Sequence, residues 1–116
     1  MSTFAWTFNM TQNLIDLRAH YREDFEYVAK REHSGLWSRI VRLISQNWRI
    51  LVTARQCQIK WDVMKQGYEN IYRILSKNLE GFPVYSPNLF DIEFFDSMSD
   101  EFWRPRSNNN LNNLID

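Results

Sequence analysis

An all-α fold, three helices in a bundle with a long third helix and an additional C-terminal fourth, follows from the spacing of the apolar residues. Ala54, Cys57, Trp61, Met64, Tyr68, Ile71 and Leu75 recur in alternating steps of three and four, which keeps them on one face at about 3.6 residues per turn. Two shorter stripes precede it at the same spacing: Met10, Leu14, Leu17, Tyr21, Phe25 and Val28, then Leu36, Trp37, Ile40, Val41 and Ile44. A third observation is punctuation, since each stripe is bounded by residues that start or stop helices.

The first stripe predicts a helix over residues 11–29, with Thr11 or Asn9 as its cap. Residues 30–35 break the pattern, and Ser34 can cap a second helix that ends near Gln46. The connector 47–51 is apolar enough that Trp48 or Leu51 is expected to fold back onto the core. Thr53 and Gln56 form the reciprocal pair that starts a helix, in which each side chain satisfies the other's backbone N–H, and Val52 can staple against Cys57. The third helix is expected to run to Lys77 or Asn78 across Gly67, a residue that costs ~1 kcal/mol relative to Ala in a helix interior and so implies a close neighbour. After a loop over 79–85, Ser86 and Pro87 supply a cap and a first-turn proline for the fourth helix.

Residues 1–104 thus read as one domain, and the Asn-rich stretch 105–116 as a tail or the start of a linker. Cys57 is the single cysteine, so neither an internal disulfide nor a cysteine-based zinc cluster is expected, and the composition suits a reducing compartment. No apolar run approaches the ~20 residues of a membrane span, and no membrane partner is expected. No Gly-rich phosphate loop, nucleophile elbow or two-histidine metal helix is present, so no catalytic residue, metal or cofactor is assigned. His20 and His33 read as surface histidines, and Asp91, Glu93, Asp96, Asp100 and Glu101 as a charged face.

The formal net charge is zero, but residues 30–65 carry eight basic and two acidic residues while both flanks are net acidic. Lys30, Arg31, Arg39, Arg42, Arg49, Arg55, Lys60 and Lys65 can present a positive field that concentrates polyanions. The fourth helix is apolar over much of its circumference. Phe90, Phe94, Phe95 and Met98 are therefore read as a surface for a homodimer or a protein partner.

The segment Thr-Ala-Arg-Gln-Cys-Gln-Ile-Lys-Trp, residues 53–61, resembles the third helix of Myb/SANT-like domains, in particular the trihelix and MADF-type branch. Trp6 and Trp37 stand upstream at intervals of 31 and 24 residues, compatible with the expanded trihelix type. The resemblance implies a helix-turn-helix variant in which Trp6, Trp37 and Trp61 clamp the core. It implies double-stranded DNA as partner, a nuclear protein, and a role as transcriptional regulator or transposon-derived DNA-binding protein. Contacts to DNA would come from Arg55, Gln58, Ile59 and Asp62, extended by Lys65 and Gln66 along the longer helix, with Arg39, Arg42, Arg49 and Lys60 in the basic block around them. The alternative is a SANT-type protein-interaction module of a chromatin or regulatory complex, because that fold serves both ends.

Overall fold

The computed structural model describes residues 5–76 and 89–104, with side chains throughout except at positions 89 and 90. The described chain is helical and contains no strand. Its order is α1 (Phe8–His20), α2 (Arg22–Tyr27), a 3-10 turn (Lys30–Glu32), α3 (His33–Trp48), α4 (Ala54–Ser76), α5 (Leu89–Phe95) and a second 3-10 turn (Asp96–Met98).

The first stripe forms two helices instead of one. Thr7 is the cap, accepting from the Met10 N–H at 3.1 Å, whereas Thr11 is fully buried and donates its hydroxyl to the Thr7 carbonyl at 2.8 Å. The chain leaves helical geometry at Tyr21 (φ −95°, ψ 16°) and again at Val28, which is extended. The break turns Phe25 into the core, where its ring meets Trp37 edge-on at 5.3 Å. A single straight helix over 11–29 does not form, because the apolar period alone carries no information about a kink.

α3 is entered from the 3-10 turn, with Glu32 at the cap position and no side-chain cap bond, so Ser34 lies inside the helix. It ends at Trp48, where Arg49 adopts left-handed geometry (φ 54°, ψ 46°). In the connector, Val52 and not Leu51 turns inward: Val52 is buried and Leu51 almost wholly exposed. Trp48 is tethered outside the core, its indole N–H donating to Asn13 Oδ1 at 3.0 Å.

α4 begins as its sequence requires. The Thr53 N–H donates to Gln56 Oε1 at 2.8 Å, and the Gln56 N–H donates back to Thr53 Oγ1 at 3.0 Å. Cys57, Trp61, Met64, Tyr68 and Ile71 are buried along its inner face, but Leu75 at 69% exposure is not. Leu14 and Ile15 of α1, Ile40 and Ile44 of α3, and Phe94, Met98 and Phe102 complete the same core, with Trp6 partly buried at its edge.

α5 approaches α4 at Gly67. A Cβ there would lie less than 3.0 Å from the Asp91 carboxylate, which would have to swing aside. α5 is only seven residues long. Phe94 and Met98 are buried at 2% and 1% exposure, and Phe95 stacks on Tyr68 at 5.0 Å. Phe94 and Met98 are therefore core and not the exposed partner surface expected of them, while Ile92 on the same helix stays half exposed. The Phe90 side chain, the loop 79–85, the Ser86-Pro87 start and the tail 105–116 lie outside the described residues.

Candidate functional site

With Trp61 and Cys57 pointing inward, the remaining positions of α4 divide into two flanks and an outer face. At about 100° per residue, Arg55, Ile59, Asp62 and Gln66 fall together on the outer face, with Gln58 and Lys65 on the flank beside it. Arg55, Asp62 and Gln66 are exposed, and Ile59 is half exposed; Gln58 and Lys65 are partly buried where α4 borders the rest of the bundle. The rigidity of this face comes from below: at every third or fourth position from Cys57 to Ile71 a side chain is buried.

Polar chemistry on this face is partly self-satisfied. Lys65 Nζ lies 3.5 Å from Asp62 Oδ1, an exposed pair worth no more than ~1 kcal/mol and therefore easily exchanged for a phosphate. Gln66 donates to Asn70 Oδ1 at 3.0 Å. Gln58 makes no side-chain hydrogen bond among the described residues. Arg55, in the first turn of α4, has no ion-pair partner among them.

Lys60 differs. It stands on the opposite flank, the one occupied by Gly67 and α5, and its charge faces Asp91. Burial lowers its pKa against the opposing pull of that carboxylate, while burial first and foremost raises the pKa of Asp91. The structure therefore separates Lys60 from the Arg55 face, although the two are only five positions apart. Arg39 and Arg42 are exposed on the side of α3 turned away from Trp37, Ile40 and Ile44, and Arg49 is exposed at the left-handed residue between α3 and α4.

A cleft of about 640 Å³ lies between the end of α1, α2, the first 3-10 turn and the Gln58–Lys65 flank of α4. Its walls include Arg18, Arg22, Lys30, Arg31, Gln58 and Lys65. Sequence reasoning did not single out Arg18. Its signal was present nonetheless: Arg18 sits four residues after Leu14 and seven before Phe25, on the apolar stripe of α1. His33, read as a surface residue, instead bonds the Phe25 carbonyl at 2.9 Å and ties the end of α2 to the start of α3. Cys57 is fully buried and its thiol is pushed up to about 12 by desolvation, which removes it as a nucleophile at neutral pH.

Among the described residues no cluster of side chains could hold a metal ion, and no helix is long and apolar enough to cross a membrane. Residues 3–101 match the model of a family described as the Myb/SANT-like DNA-binding domain. Neither a curated protein nor a solved structure shows significant similarity to the chain.

Proposed function

The chain belongs to the Myb/SANT-like DNA-binding domain family, and from that premise we propose that it binds double-stranded DNA through the outer face of α4. The observation that carries this reading is the grouping of Arg55, Gln58, Ile59, Asp62 and Gln66 on one side of a helix whose other side is fixed in the core. An α-helix fits the major groove of B-DNA, where amides pair with adenine, arginine with guanine, carboxylates accept from cytosine N4, and an aliphatic side chain meets the thymine methyl. Arg55 and Lys65 neutralise phosphates at the two ends of this face, and Arg49 adds a third cation at the α3–α4 turn. The role is that of a nuclear regulator or a transposon-derived DNA-binding protein.

Binding to a pool of random duplexes, titrated with salt, tests this reading. Each neutralised phosphate contributes about −0.9 to the slope of log K against log salt, so a steep decline is expected and a flat response overturns the proposal.

One observation favours a second reading, a protein-interaction module. Ile59 and Val63 are each about half exposed side by side on α4, at 50% and 53%, with Asp62 between them. An apolar pair beside a carboxylate suits a basic peptide. Ile59→Lys discriminates: on DNA it strengthens binding and steepens the salt slope, whereas on a basic peptide it weakens binding.

A further inference from the structure

Arg18 is only 8% exposed, and its Nε and Nη1 are sealed from solvent with no hydrogen-bond acceptor among the described residues. A buried cation without acceptors is costly, because water that once bonded its N–H groups has been removed. The Phe25 ring lies 3.8 Å from the guanidinium carbon and Trp61 lies 5.6 Å away, so aromatic rings surround the group while Nε and Nη1 are unanswered. Burial also draws the Arg18 pKa down to about 10, which still leaves it cationic at neutral pH.

Arg18 lines the cleft between α1, α2 and α4, whose rim also carries Arg22, Lys30, Arg31 and Lys65. Two carboxylates, Glu26 and Asp62, share that rim, and Lys65 is occupied by Asp62, so positive charge remains in excess. The half-buried indole of Trp103 forms part of the wall.

We propose that this cleft is a phosphate-binding site in which Arg18 supplies the buried positive charge of its floor, reaching the phosphate through Nη2, and Lys30 and Arg31 close over it from the rim. A guanidinium N–H bonded to an oxyanion is charge-assisted, and such bonds are about twice as strong as neutral ones. The volume exceeds that of a phosphate alone and leaves room for an attached planar group against Trp103. A small phosphate monoester and a DNA phosphate share this chemistry. Because Arg18 lies so deep, the slim monoester reaches it more easily than a duplex backbone does.

The test uses the whole chain, followed by tryptophan fluorescence and thermal unfolding, and titrated with inorganic phosphate, with adenosine monophosphate, and with sodium chloride at matched ionic strength. Saturable responses to the two phosphates, absent with chloride, are expected, and Arg18→Met should weaken them at least about tenfold. The rim variant Lys30→Ala/Arg31→Ala alters only exposed positions, leaves the core intact, and should weaken phosphate binding several-fold. Repeating the titration with duplex DNA present separates the sources: competition assigns the site to a DNA phosphate, simultaneous binding to a small ester. Equal responses to phosphate and chloride overturn the proposal, as does unchanged phosphate affinity in folded Arg18→Met. If Arg18→Met does not fold, unchanged affinity in the rim variant overturns it. The phosphate arm contains no DNA, so its failure is distinct from failure of the DNA reading.

Discussion

The two flanks of α4 carry similar side chains and have opposite fates. On one, Lys60 lies against α5, half buried and facing Asp91, with the glycine notch at Gly67 one and a half to two turns further on. On the outer side, Arg55 projects into solvent from a turn that the Thr53–Gln56 pair holds in place. A cation on a helix is a candidate contact only if no other element lands on it. The sequence of α4 does not contain that information; the position of α5 does.

The largest effect should come from removing what supports both flanks. Trp61 is 2% exposed and touches Phe102, Trp103 and Arg18, so Trp61→Ala should cost ~3–5 kcal/mol and abolish or sharply lower the cooperative thermal transition seen by circular dichroism. A melt unchanged within a few degrees would mean that the flanks do not share one core.

The sealed flank can be opened separately. Gly67→Ala should stay within about 1 kcal/mol of wild type, because turning the Asp91 carboxylate aside offsets the ~1 kcal/mol gain expected for Ala over Gly in an unobstructed helix. Adding Asp91→Ala should remove the collision and raise stability above wild type. If the double variant is no better than Gly67→Ala in a denaturant titration, the notch is not set by Asp91.

A smaller effect distinguishes the two cations in binding. Arg55→Ala should lower duplex affinity about tenfold and flatten the salt slope by about one phosphate without moving the melting temperature. Lys60→Ala should change affinity less than about twofold, and its effect should appear in stability. Equal affinity losses would put Lys60 back on the DNA face.

The smallest effect is electrostatic and belongs to the sealed side. The Tyr68 hydroxyl donates to Glu101 Oε2 at 2.6 Å, and Arg104 bonds both Glu101 and Glu69. The Tyr68 bond first, with the Arg104 contacts, holds the Glu101 carboxyl below the ordinary glutamate range. A depressed carboxylate pKa stabilises the fold above the unfolded value near 4.5, and that contribution disappears as pH falls through the folded value. Glu101→Gln should therefore be slightly less stable than wild type near neutrality, and the difference should shrink away as pH falls through the folded value of Glu101. Equal stability of the two chains in denaturant titrations at neutral pH would show that the link contributes nothing.

What could be read from the chain was local. The start of α4 was legible because Thr53 and Gln56 are three residues apart, and the buried stripe from Cys57 to Ile71 because one helix repeats itself. The glycine at 67 announced a close neighbour but not which one. The kink at Tyr21 was hidden, since Leu17, Tyr21 and Phe25 keep helical spacing on both sides of it. Leu75 belongs to the stripe by spacing, yet among the described residues none covers it and it is exposed. The surplus of phenylalanine in the fourth helix suggested an outer surface, because spacing does not reveal that Phe94 packs beside Phe8 and Phe95 on Tyr68. In the candidate site the outer positions of α4 followed from the period, whereas Lys60 and Arg18 required knowing what stands opposite them.

The join between α3 and α4 bears on how the chain folds. A left-handed stop at Arg49 and a self-capped start at Thr53 are separated by three residues, so the instructions for this helical hairpin are complete within a short stretch. Short loops close quickly and at little entropic cost, while α5 must return to α4 from beyond the end of that helix. The hairpin can assemble first, with the seat for α5 already moulded at Gly67 and the Arg55 side already turned outward. α5 then acts as a late-arriving clasp: it completes the domain without having to shape the face that meets the ligand.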